Sequence, residues 1–237
     1  MNKRIALSHQ SDSSKLKPTA WYFLKAMAQF LFSPELRLGR ADIPPTRHEI
    51  SDDFCGVCVA TSPDPDCDVY ILQSLQELGL QHVRLDYGYD SPDLHGARLL
   101  ETLLCQGYRV MLHLVQPLEE AAAMERPAAR ARWQDFVETA LDRWGSRVEL
   151  VEIGSTVNRR RWAGYTPAGF IACWQTAYTA ASMRGLKISG PNISDFEPLY
   201  TIALLDILKS MGQSPEYYTD NLFVERVIQP EAYDHRV

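Results

Sequence analysis

The chain has 237 residues, 46% of them hydrophobic and 23% charged, with a formal net charge of −6. That is globular composition with enough apolar material for a substantial core. Eight Lys/Arg and four Asp/Glu fall in residues 1–50, leaving sixteen against twenty-six in residues 51–237, so a basic arm precedes an acidic body that lacks the basic stripe nucleic-acid binding requires.

The arm's apolar run, "WYFLKAMAQFLF" at residues 21–32, is shorter than the about 20 residues needed to cross a bilayer. No small-residue cleavage site follows, so it does not read as a secretory signal, and a cytoplasmic location is expected. Trp21, Leu24, Ala28 and Leu31 recur at helical spacing and predict an amphipathic helix. The expectation is that this stripe packs on the body, with a membrane surface as the alternative seat. The arm's charge suits a solvated tail or contact with an anionic surface.

From Phe54 onward one unit recurs: a β-branched run, a polar loop, a segment of helical period and a glycine stop. The strands read "FCGVCVAT", "HVRLDYG", "RVMLHLVQ", "VELVEIGST", "KISGPNIS" and "YYTDNLFVE", and helices are predicted over 67–78, 94–105, 127–144, 167–183 and 198–211. In the first of these helices Val69, Leu72, Leu75 and Leu78 form the expected buried stripe. Gly79, Gly107, Gly145, Gly185 and Gly212 stand where helices should end in a left-handed residue. Asp66, Thr166 and Asp195 offer N-cap chemistry, with Pro167 in a first turn. The "CGVC" pair, Cys55 and Cys58, sits in a strand whose alternation points the two sulfurs apart, so both are expected as buried small hydrophobes and not as a metal or redox pair.

Strands alternating with helices predict a parallel sheet, and runs apolar on both faces suit one covered on both sides. A doubly wound dinucleotide fold would need a glycine fingerprint after the first strand, and "VATSPDPDCDVY" has none. The fold class expected is therefore α/β, a TIM-type (β/α) barrel at 51–237 behind a helical arm at 1–50. It is expected to be incomplete, with about six βα units where a full barrel takes about 250 residues.

In a parallel barrel the functional groups sit at the carboxyl ends of the strands. Those ends carry Arg84 and Asp86, His113 and Gln116, Ser155 to Asn158, Asn192 and Asp195, and Asn221 and Glu225. Trp162, Tyr87, Tyr89 and Phe223 are interleaved. Planar amides beside aromatic faces suit a carbohydrate ligand. No His/Cys/Asp cluster has metal-ligand spacing, so neither metal nor other cofactor is expected.

The stretch from Phe54 to Glu225 resembles the clan A glycoside hydrolases, particularly the retaining enzymes of the family 5 and family 39 type. The resemblance rests on Arg84 in "HVRLDYGYD", on Glu152, Ile153, Asn158, Trp162 and Tyr165 in "EIGSTVNRRRWAGYTPAGFIACWQTAY", and on Gly190 and Pro191 in "ISGPNISDF". It departs from the family at the strand-four motif, where Gly154 stands for a tryptophan, Ser155 for an asparagine, Thr156 for the acid/base glutamate and Val157 for a proline. A retaining mechanism uses two carboxyl groups about 5 Å apart, and a threonine hydroxyl does not release a proton near neutral pH. The resemblance puts the nucleophile on a seventh strand, before which this chain is expected to stop.

Three functional expectations follow. The chain is part of a larger glycoside hydrolase relative, with its hydrolytic chemistry impaired; or it is a non-catalytic module that binds a saccharide or a protein; or it is an active glycosidase that recruits Glu225 with some other acid, on a polysaccharide or lipopolysaccharide sugar. Glu225 is weighed against an ion pair with Arg226, Glu152 is expected to pair with Arg84, Asp86 either holds Arg84 or faces solvent, and His113 is either an interior histidine or a ligand contact. The "NRRRW" loop suits an acidic sugar or a solvated surface. Open barrel edges imply self-association or a covering partner chain.

Overall fold

Alternation within a single strand sets the geometry of the whole body. In the computed structural model, which describes residues 19–32, 54–89, 94–195 and 197–221, Val83, Leu85 and Tyr87 are buried while His82, Arg84 and Asp86 take the opposite face. The elements begin α1 (Thr19–Phe32), β1 (Gly56–Val59), α2 (Pro65–Leu78), β2 (His82–Tyr87), α3 (His95–Cys105), β3 (Arg109–Leu114) and α4 (Leu118–Ala122). They continue α5 (Pro127–Trp144), β4 (Leu150–Ile153), α6 (Arg160–Ala163), α7 (Pro167–Ser182), β5 (Ile188–Ser189), β6 (Ile193–Ser194), α8 (Pro198–Ser210) and β7 (Asp220–Asn221).

Strands β1 to β5 form one parallel sheet in chain order. Strand β6 pairs in parallel with β7, and Tyr217 bridges Ser189, so the arc continues past a cis Gly190–Pro191 bond to the segment ending at Asn221. Among the described residues β1 has β2 as its one neighbour and the arc does not close. The expectation of strands apolar on both faces is corrected. The helix-facing side is apolar, while the concave side carries Arg84, Asp86, Arg109, Met111, His113 and Glu152, because no helix among the described residues packs there to demand apolar cover.

The core lies between the sheet and α3, α5 and α7. On α5, Ala129, Trp133, Phe136, Val137, Ala140, Leu141 and Trp144 are buried, one stripe of helical period. The indoles keep their N–H groups satisfied: Trp133 donates to the Cys173 carbonyl at 2.9 Å, Trp144 to the Tyr87 hydroxyl at 3.0 Å and Trp174 to the Gln213 carbonyl at 3.1 Å. Truncating one such buried ring to alanine costs about 3–5 kcal/mol.

Helix α7 begins as its sequence predicts, with the Thr166 hydroxyl accepting from the Gly169 amide at 3.0 Å and Pro167 in the first turn. Helix α2 is capped by Asp64, two residues before the expected Asp66, while the N-cap position of α8 falls on Glu197 and not on Asp195, with no capping hydrogen bond from its side chain. The predicted stripe on α2 is also corrected. Val69 and Leu78 are 52% and 68% exposed, because steps of three drift about half a turn over nine residues of a 3.6-residue helix. Of the five glycines expected in left-handed geometry, Gly145 alone stays right-handed, with φ −51. Cys55 and Cys58 are exposed, not buried: Cys55 precedes the edge strand β1, and Cys58 lies opposite Arg84 on the face over which no described helix packs.

Helix α1 packs on α8 through Tyr22, Ala26, Ala203 and Ile207, with Tyr22 and Ser210 hydroxyls 2.9 Å apart and Lys25 paired to Asp206 at 2.6 Å. The arm helix thus docks on the body, though by a different stripe from the expected one. Small Ala26 and Ala203 let the two axes approach, which turns Trp21, Leu24, Ala28 and Leu31 outward. No helix among the described residues is long and apolar enough to cross a membrane.

Candidate functional site

Parallel register lines up one row of concave-face residues: Asp86 opposite His113, His113 opposite Glu152 and Glu152 opposite Ser189. Arg84, on the same face of β2 as Asp86, reaches into this row. Its Nε donates to Glu152 at 2.6 Å, Nη1 to Asp86 at 2.9 Å, and Nη2 lies 2.7 Å from His113 Nδ1. The row is therefore tied together by one guanidinium.

Glu152 is 1% exposed, and both its oxygens are taken, the second by Asn192 Nδ2 at 3.0 Å. Burial alone would raise its carboxyl, but the His113 ring and the Arg84 guanidinium, with hydrogen bonds from Asn192 and Arg84, outweigh this and hold it below the ordinary carboxylate value. Asp86 is likewise held low against its desolvation, first by the hydrogen bond and charge of His113 and then by Arg84. Neither group holds a proton at neutral pH that it could give to a leaving oxygen.

His113 is 1% exposed, and its Nε2 lies 2.7 Å from the Gly154 carbonyl oxygen, so that nitrogen carries the proton and donates. Its Nδ1 then accepts from Arg84 Nη2 in the neutral ring, or donates to Asp86 at 2.7 Å in the charged one. Gly154 makes this carbonyl available by adopting φ +100, where a Cβ would meet the Pro191 carbonyl oxygen at 2.5 Å. The tryptophan that the family resemblance expects there would not fit this backbone.

The turn after β4 is held by amides. Thr156, at φ 51, donates its amide to Asn192 Oδ1 at 3.1 Å, and Asn221 Nδ2 reaches the same oxygen at 2.6 Å and the Thr156 hydroxyl at 3.4 Å. Asn158 clamps β6, accepting from the Ser194 amide at 2.9 Å and donating to its carbonyl at 2.9 Å. Ser155 is half-buried in this turn. Trp162 lies on α6 and is 62% exposed, beside Arg160 and Arg161 in solvent. Arg159 is engaged with Asp195 at 2.8 Å and Glu197 at 2.7 Å.

Of the residues singled out from sequence, Arg84, Asp86, His113, Thr156, Asn192 and Asn221 converge in one network, whereas Glu225 and Phe223 lie outside the described residues. One rim expectation is corrected: Tyr87 shares the parity of Val83 and Leu85 and is buried against Trp144. Tyr89, stacked on Trp133 and tilted against Phe136, and Gln116, which accepts from the Tyr165 hydroxyl at 2.7 Å, line a concavity of about 370 Å³ just past β2 and β3. Sequence reasoning missed a concavity of about 460 Å³ toward the amino ends of β1 to β5, lined by Cys58, His82, Arg109, Met111, Leu150 and Tyr217 among others. The signal for it was present, since Arg109 and Met111 share the parity of His113.

No family model matches the chain, and no curated protein matches it in sequence. Among solved structures it is similar to the virulence factor SghA from Agrobacterium tumefaciens, with 13% identity and a TM-score of 0.39 over 53% of this chain and 35% of that one. A family 39 glycoside hydrolase from the gut symbiont Bacteroides cellulosilyticus WH2 gives 11% identity and 0.39 over 56% of this chain and 30% of that one. A dipeptide epimerase from Methylococcus capsulatus gives 12% identity and 0.27 over 71% and 55%. The chain thus spans about a third of the length of the first two, and likenesses at this level assign it no activity.

Proposed function

We propose that this chain is a glycoside-hydrolase-like barrel portion that binds a saccharide at the carboxyl ends of its strands without cleaving it. The observation that carries the reading is the state of the acid position. Thr156 stands where the family resemblance puts the proton donor, its hydroxyl within reach of Asn221, and the buried Glu152, two residues before the β4 turn, is ionised with both oxygens occupied. Breaking a glycosidic bond by the retaining route needs one carboxyl to donate a proton while the other attacks; Thr156 brings no carboxyl to that position, and Glu152 has no oxygen free.

The binding surface in this reading comprises Arg84, Asp86, Ser155, Thr156, Asn158, Trp162 and Asn221, held from behind by the buried His113 and Asn192. An exposed indole supplies a face for the C–H side of a sugar ring, and the preorganised amides supply directional hydrogen bonds. Titration calorimetry against a panel of neutral and acidic oligosaccharides should give heat that disappears in Trp162→Ala. Turnover of aryl glycosides by the wild type that is lost in Glu225→Gln would replace this reading with an active hydrolase; near-zero rates in both sustain it.

A further inference from the structure

Helix α1 is apolar on two sides. Tyr22 and Ala26 are spent on α8, yet Trp21, Leu24, Met27, Leu31 and Phe32 remain 45%, 61%, 45%, 64% and 81% exposed, with Ala20 and Ala28 exposed between them. These positions recur every three or four residues and make one continuous outward stripe without a charged side chain. Such a surface on a helix is the mark of an interaction site.

Charge says what it fits. Lys15, Lys17, Lys25, Arg37 and Arg40 flank or interrupt the helix in sequence, within an arm of eight Lys/Arg against four Asp/Glu, while residues 51–237 carry sixteen against twenty-six. An anionic surface attracts the arm and repels the body, which turns the stripe toward that surface. A second copy meeting the stripe symmetrically would instead bring two basic arms together. With 14 residues the helix rises about 21 Å, too short to span a bilayer but suited to lie along its interface.

We propose that α1 seats this protein on an anionic lipid bilayer, its outward stripe entering the headgroup boundary while Tyr22, Ala26 and the Lys25–Asp206 pair hold the body above it. This seat is independent of any saccharide binding, since none of its residues belongs to the carboxyl rim.

The test is co-sedimentation of the 237-residue chain with phosphatidylcholine vesicles made with and without phosphatidylserine. Binding is expected with phosphatidylserine, weakening as salt rises, and falling by about tenfold or more in Leu24→Glu/Leu31→Glu. Both of those side chains are exposed, so unchanged circular dichroism and melting should accompany the loss. Brominated lipid should quench fluorescence in the wild type and quench less in Trp21→Phe. The proposal is overturned by equal binding to both vesicle types, by a variant that sediments like the wild type, or by absence of binding. A concentration-dependent dimer abolished by the double variant, without vesicle binding, would assign the stripe to a second copy instead.

Discussion

Replacing Glu152 by glutamine probes the buried network most directly. The carboxylate answers two donors, Arg84 Nε at 2.6 Å and Asn192 Nδ2 at 3.0 Å, with separate oxygens. A glutamine has one acceptor oxygen for the two, so its amide N–H₂ must face either the guanidinium or the Asn192 amide, donor against donor. Removing one partner of a buried pair costs about 3–5 kcal/mol. Arg84 retains Asp86, but that carboxylate is 61% exposed and the pair is screened by water. The expected loss is about 3 kcal/mol, or roughly 6–12 °C of melting temperature for a chain of this size. The Glu152 carboxyl lies below its ordinary value when folded, so its contribution is complete above the unfolded carboxyl range and is lost as pH falls through the folded value. The variant lacks that acid-side loss. Urea unfolding at neutral pH and at descending pH reads both effects; a loss under about 1 kcal/mol, or an acid limb as steep as the wild type's, would refute the reasoning.

Gly154→Ala should cost about 1–3 kcal/mol in the same assay, because φ +100 disfavours a side chain and the new Cβ meets the Pro191 oxygen; a neutral result would mean that the β4 turn is free to move. Thiol titration with Ellman's reagent should find Cys55, Cys58 and Cys105 reactive in the native protein and Cys173 silent until unfolding, since burial pushes that thiol up to about 12. Lys25→Ala should change stability by less than about 1 kcal/mol, its pair with Asp206 being partly exposed, with chemical denaturation as the measure. Asn158→Ala should lose more, about 1–2 kcal/mol, because two hydrogen bonds to the Ser194 backbone go together.

The helices of the body were legible because their signals are local. A proline after a threonine cap and a stripe of period 3.6 place α7 and α5 without knowledge of any other segment. The strands were legible as apolar runs, and their parallel pairing followed from the helices between them. Short α4 and α6 escaped because a turn or two of helix leaves no period to count. Cys55 and Cys58 were misread because strand alternation says which side chains share a face but not whether the strand lies at an edge.

Residue order by itself determined the alternation of strands and helices, the parity that groups Arg84 with Asp86, and the absence of a carboxyl group at position 156. Those properties depend on backbone period and side-chain chemistry, which neighbours a few residues away already express. Only the tertiary structure decided which face each period buries. It set Tyr22 and Ala26 against α8 and left Trp21 and Leu24 outside, and it joined Arg84 to Glu152 across 68 positions. Burial and ion pairing are settled by what packs opposite, and that partner is chosen by the fold as a whole.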